Sequence, residues 1–166
     1  TGTMIRDDAL NYFTTTQVSI RPPNDQLQSN PSSGFGEFVT VFKLSHANSE
    51  ALFYVNYNRL FRTTQASTVT QTTSNGWDRM TGVENAVNAA GGSTIAIRTI
   101  DFSWGPYLSS HSMYLGTTSG KIFRLDDYLN AGVTTSPIDI TPVGLTGNVQ
   151  DIAVNPNNDN EIMAVV

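Results

Sequence analysis

Met113-Tyr114-Leu115-Gly116-Thr117-Thr118-Ser119-Gly120-Lys121-Ile122-Phe123-Arg124 reads as an apolar strand, a turn of small residues and a second apolar strand. Aromatic and β-branched residues favour pleated backbone, and Gly and Ser favour turns, so this stretch predicts a β-hairpin. An earlier copy is Leu52-Phe53-Tyr54-Val55, the turn Asn56-Tyr57-Asn58, then Arg59-Leu60-Phe61-Arg62-Thr63. Tyr54 matches Tyr114 at an offset of 60, Leu60-Phe61-Arg62 matches Ile122-Phe123-Arg124 at 62, and Trp77-Asp78 matches Ile138-Asp139 at 61.

Working outward, each hairpin gains a strand on either side. Phe38-Val39-Thr40-Val41-Phe42-Lys43-Leu44 precedes the first, and Trp77-Asp78-Arg79-Met80-Thr81 is a candidate fourth, outer strand. Ile95 to Phe102 precedes the second, and Ile138 to Thr141 closes it. A third pass begins at Val149 to Val154, turns at Asn155-Pro156-Asn157-Asn158-Asp159-Asn160, and continues in Ile162 to Val166. Leu44, Phe102 and Val154 end the first strand of each pass, at spacings of 58 and 52. Between the passes, Gly82 to Gly92 reads as a loop with the option of a short helix over Val83 to Ala90. Residues 1–37 hold one period-2 stretch, Asn11 to Ile20, followed by loops at Arg21-Pro22-Pro23-Asn24-Asp25 and Asn30-Pro31-Ser32-Ser33-Gly34.

Four-stranded repeats of this period predict propeller blades, each apolar on both faces and in need of neighbours. The expected fold is all-β, with β-propeller-type four-stranded blades that form a portion of a larger propeller. Residues 1–37 are then a lead-in segment or the tail of a preceding blade. Residues 38–92 and 93–147 are blades, and 148–166 is the first half of a further one. The alternative is an open β-sandwich of about 8–10 strands in which the repeat is coincidental.

Composition limits the function classes. Of 166 residues, 51 are Thr, Ser or Asn, and 14% are charged. There is no Cys, so disulfides and thiolate metal sites are ruled out. A net charge of -5 disfavours nucleic acid. The longest apolar runs, such as Ala51 to Val55, are far below the roughly 20 residues of a membrane helix. No signal peptide is visible, and residue 1 is Thr, so the sequence reads as a processed form or a piece of a longer chain. The Thr/Asn-rich, Lys-poor balance looks more extracellular than cytosolic.

Leu52 to Val55, then Arg59 to Thr64, then Trp77 resembles the blade of sialidase-like repeat propellers (the Asp-box, sortilin-type repeats). Met113 to Arg124 resembles its second and third strands more closely, and Val149 to Asn158 resembles a blade opening. The resemblance covers about residues 38–166. Its Thr/Asn-rich, acidic, Cys-free character is most similar to the large secreted surface proteins of Bacteroidetes. The full Asp box, Ser-x-Asp-x-Gly-x-x-Trp, is missing: Thr70 to Gly76 before Trp77 has no Asp in place, and Ile138 stands where the second Trp would be.

Several residues are candidates for chemistry. Arg62 and Arg124 recur at one blade position, and the resemblance implies a carboxylate-binding arginine cluster as one reading and a structural repeat as the other. Asp101, Asp139 and Asp151 are candidates for a glycosidase acid–base pair, or for strand-end contacts. Asn155 to Glu161 offers oxygen ligands in the manner of a calcium loop, but Asn-Pro-Asn-Asn is also turn chemistry, and Asp126-Asp127 reads as a solvated turn. His46 beside Ser45, and His111 between Ser110 and Ser112, lie outside any nucleophile-elbow motif. Trp104 and Tyr107, with Tyr114 nearby, sit around Gly105-Pro106 in an insertion between two strands, where aromatics suit a glycan or peptide.

The expectation is a non-catalytic scaffold or ligand-binding segment of a secreted bacterial surface β-propeller. Its ligand contacts are Trp104 and Tyr107, and it uses no cofactor and no metal. Its partners are other blades of the same parent protein, and a glycan or protein ligand. The alternative is part of a glycoside hydrolase of the sialidase or xyloglucanase kind, completed by missing blades. A sortilin-like peptide receptor is a third option.

Overall fold

The computed structural model describes residues 5–7, 17–23, 26–27, 29–30, 34–35, 41–70 and 76–166. Among the described residues the fold is all-β apart from one helix, and the sheets are antiparallel. Among the described residues no helix is long and apolar enough to cross a membrane.

The first sheet runs in chain order: β5 (Phe42–Leu44), β6 (Leu52–Asn56), β7 (Arg59–Thr63) and β8 (Asp78–Arg79). The second repeats that order with β9 (Ile97–Phe102), β10 (Ser112–Thr117), β11 (Ile122–Asp126) and β12 (Ile138–Asp139). The hairpin β13 (Asp151–Asn155) and β14 (Asn158–Val165) follows. Before them come two small hairpins: β1 (Ile5–Asp7) with β2 (Gln17–Ser19), and β3 (Ser29–Asn30) with β4 (Gly34–Phe35). The second small hairpin lies where the sequence read as loop. Residues 11–16 and 38–40 of the predicted strands lie outside the described residues.

The segment after β8 is a helix, α1 (Thr81–Ala89), which begins two residues earlier than the helical option in the sequence. Val83 and Val87, one turn apart, are fully buried and join the main core. Glu84 in the first turn receives bonds from Arg59 and Arg79. Burial alone would raise its carboxyl, but the two guanidinium groups outweigh that and hold it below the ordinary value. Gly82 lets the helix approach the loop after β11. Its N–H donates to the Val133 carbonyl (2.9 Å), and a Cβ there would overlap the carbonyl oxygens of Thr134 and Thr135. Gly91-Gly92 follow the helix at once, as the sequence reads, and Gly82 in its first turn serves close packing.

Three apolar clusters alternate with the sheets. Ile20 and Leu27 cover Leu52, Tyr54, Phe61 and Trp77 on the back of the first sheet. Phe53, Val55 and Leu60 on its front meet Phe102, Met113, Leu115, Phe123 and Leu125 on the back of the second. Tyr114 and Ile122 on the second sheet's front meet Val149, Ile152 and Val154. Front here means the side turned toward later residues. Gly116 also lies on that front, where a Cβ would strike Val149 and Thr99, so glycine lets the next segment seat closely.

The registers correct one detail of the repeat. Arg62 lies opposite Phe53, and Arg124 opposite Tyr114. Tyr114 therefore corresponds to Phe53, and Tyr54 corresponds to Leu115 and faces the other way. Likewise Asp78, opposite Arg62, corresponds to Ile138, opposite Arg124. The Phe61-Arg62 and Phe123-Arg124 match holds. The cause is turn length. Two residues, Tyr57 and Asn58, join β6 to β7, whereas Thr117 pairs back to Lys121 across three residues that include Gly120 at φ 77°.

Candidate functional site

A polar node between sheets forms at Asp101, buried on β9 between Ile100 and Phe102. Lys43 Nζ on β5 donates to its Oδ1 at 2.6 Å, and the main-chain N–H of Val154 on β13 donates to its Oδ2 at 2.8 Å. His46 Nε2 stands 3.8 Å from Oδ1. One carboxylate thus joins the first strands of three successive sheets. Lys43 lies opposite Phe53, and Asp101 opposite Tyr114, so both occupy the same place in their repeats and both reach forward. Thr99 Oγ1 makes a parallel tie to Asp151 at 3.0 Å. The signal for Asp101 was visible in the sequence, since an acid inside an apolar strand must find partners when buried. What the sequence does not show is that Lys43 is one of them.

Beside this node lies the aromatic loop. Trp104 is 44% exposed and stacks on His46, with ring centroids 4.1 Å apart and planes at 14°. His46 also packs edge-on to Phe102 at 6.1 Å. The indole is therefore backed by a fixed partner while part of it stays open to solvent. Tyr107 is placed differently. Its ring packs against Tyr128 and His111, and its hydroxyl accepts a bond from Asn130 Nδ2 at 3.1 Å. The two candidate ligand residues thus do separate jobs: Trp104 presents a face, and Tyr107 anchors the loop.

Arg62 is a buried clamp. Its Nη1 donates to the carbonyls of Tyr128, Leu129 and Ala131 at 2.9–3.1 Å, and its Nη2 to Asp78 at 2.9 Å. Arg124 faces the next junction and pairs locally with Asp126 at 2.8 Å. Both guanidinium groups are held by the protein's own acceptors.

The remaining candidates are tied in the same way. Asp139 accepts from Thr141 and Lys121. Burial would raise its carboxyl, but these bonds hold it below the usual value, which suits an ionised group and not a general acid. Ser45 Oγ shares a hydrogen bond with Tyr128 Oη at 2.7 Å, and Ser112 Oγ donates to Asp126, so neither serine is bonded to a histidine. His111 Nε2 lies 3.2 Å from Asp159 on the last hairpin, whose main-chain oxygen also accepts from the Tyr114 hydroxyl. In the Asn155–Glu161 loop, Asn155 donates to Glu161 and accepts from the Asn157 N–H, which is a turn held by its own side chains. Among the described residues no group of three potential metal-ligating side chains forms a cluster.

Three interior tyrosines give the fold a pH limit. Burial pushes the phenols of Tyr54, Tyr114 and Tyr128 up. Arg21 opposes this at Tyr54, Arg124 at Tyr114, and the Ser45 bond at Tyr128. A folded-state value above the unfolded one gives stability that is complete below about pH 10 and lost as pH rises further. Melting temperature should therefore stay level to about pH 10 and fall above it. A melt that is unchanged through the tyrosine range would contradict the burial of these phenols.

No protein-family model matches the chain, and no curated protein does.

Proposed function

We propose that this chain is a non-catalytic scaffold or ligand-binding segment of a secreted bacterial surface β-propeller of the sialidase-like repeat kind. The observation that carries the reading is the repeated junction. Two four-stranded meanders and a following hairpin stack front to back, and the first-strand residues Lys43 and Asp101 tie each to the next. Blades of a propeller stack in this manner around an axis. The non-catalytic part rests on the carboxylates. Asp101, Asp139 and Asp151 all accept structural hydrogen bonds. The Thr/Ser/Asn-rich, Cys-free composition supports the secreted location.

The ligand contact is Trp104. Its solvent-facing indole, fixed by His46, is a preorganised apolar plate of the sort that stacks on a sugar ring or an aromatic peptide side chain. Titration against a panel of oligosaccharides, read by tryptophan fluorescence, is the test. Binding should weaken about tenfold or more in Trp104→Ala, the scale of one lost aromatic contact, with the melt nearly unchanged. Binding that is indifferent to Trp104 overturns the site. Turnover of sialosides or xyloglucan by the parent protein, abolished in Asp101→Asn, overturns the non-catalytic reading.

A further inference from the structure

Trp104 is held by a single neighbour. Its indole lies flat on the His46 ring, with centroids 4.1 Å apart and planes at 14°. Among the described residues no hydrogen bond and no other ring holds it. Part of the indole stays open, which leaves the residue 44% exposed. What fixes His46 therefore fixes the indole. His46 packs edge-on to Phe102, and its Nε2 stands 3.8 Å from Asp101 Oδ1. That separation is too long for a hydrogen bond, so the neutral ring is placed by packing alone.

Histidine is the side chain whose charge changes between about pH 5 and 8. A proton on His46 acts on both of its neighbours. An imidazolium against an indole face makes a cation–π contact, and tryptophan is the best partner for one. The same charge is drawn to the Asp101 carboxylate, whose side chain is only 6% exposed and so is weakly screened. Lys43 opposes it, since its Nζ is bonded to the same Oδ1. The Lys43 side chain is 39% exposed, and water screens it more than it screens Asp101. Tyr128 reaches this neighbourhood through its bond to Ser45, but burial pushes its phenol up, so it stays neutral in this range. From the last hairpin, the Val154 N–H meets the other oxygen of Asp101. A charged His46 is thus pulled toward both Trp104 and Asp101.

We infer that His46 is a pH-dependent clamp on Trp104: its protonation fixes the indole face, and its deprotonation releases it. The inference rests on the reading of Trp104 as the ligand contact and adds the regulation of that contact. A ligand that stacks on the indole needs the face in one place, and less freedom is lost on binding when the face is already held. Acid pH therefore tightens binding by roughly threefold to tenfold, the scale of one cation–π contact. Groups elsewhere keep one form across this range. Glu84 and Asp139 are held below the ordinary carboxyl range, and the phenols of Tyr54, Tyr114 and Tyr128 are pushed above theirs. The sheets beneath the loop stay as they are while the clamp works.

Indole emission reads the clamp without any ligand, because a protonated imidazole in contact with an indole quenches it. The chain has two tryptophans, so the Trp104 signal is the difference between the parent chain and Trp104→Phe. That signal should fall in one single-proton step between about pH 8 and pH 5 and should vanish in His46→Gln. Histidine ring NMR, with His46→Gln identifying the resonance, should show a step at the same midpoint. A neutral oligosaccharide, whose own charge does not change with pH, should bind roughly threefold to tenfold more tightly at about pH 5.5 than at about pH 8. In His46→Gln it should bind equally at both. No step in Trp104 emission, or a step that survives His46→Gln, overturns the clamp. So does binding that depends on Trp104 yet is equal at the two pH values. A His46-dependent step in a chain that binds no oligosaccharide, or binds one without using Trp104, supports the clamp and overturns only the ligand reading.

Discussion

Replacing Arg62 by alanine is expected to destabilise the chain by about 3–5 kcal/mol, since several buried acceptors lose a donor at about 1–3 kcal/mol each. The carbonyls of Tyr128, Leu129 and Ala131 all accept from this one guanidinium, and they belong to the turn that follows β11 in the next sheet. A three-carbonyl bond from one planar group depends on geometry as much as on charge, so Arg62→Lys should restore only part of the loss. Arg124→Ala is the control. Its local pairing with Asp126 near the surface should be worth under about 1 kcal/mol. Urea midpoints for the three variants give the comparison. Equal small losses at both arginines would mean that Arg62 does not hold the junction.

The second large effect is expected at Asp101. Alanine there removes the counter-charge of Lys43 and leaves the Val154 N–H without an acceptor, which should cost about 2–4 kcal/mol. Lys43 is partly solvated, which keeps the figure below that of a fully buried pair. Asparagine retains an oxygen for the Val154 amide and should cost roughly half as much. Exchange at Val154 should quicken in Asp101→Ala and change little in Asp101→Asn. If alanine and asparagine behave alike, the carboxylate matters for charge alone and the tie to β13 is incidental.

Much of this architecture could be read from residue order. The strands from β6 to β14 follow from apolar runs broken by Asn, Gly and Ser turns, because a hairpin is encoded locally. The Phe-Arg dipeptide at 61–62 and 123–124 marks equivalent positions in the folded chain as it does in the sequence. The Tyr54–Tyr114 match failed because counting residues ignores turn length. One additional residue between β10 and β11 shifts the count, and on a strand a shift of one reverses the face. Helix α1 was obscured by Gly91-Gly92, which follow it at once, while the role of Gly82 in its first turn is to let two backbones approach. The site was less legible. That Asp101 would be partnered follows from its apolar flanks, but Lys43 and Val154 are more than fifty residues away on either side. Likewise, Trp104 and Tyr107 look like one aromatic pair in the sequence, while the fold turns one outward and the other in.

The tie from Asp101 to β13 ends on a peptide nitrogen and not on a side chain. Every amino acid except proline offers that donor, so the receiving position places almost no demand on its own identity. At this seam the demand falls on the single acid of the giving strand β9, whereas the seam before it, from Lys43 to Asp101, joins two side chains and constrains both of its positions.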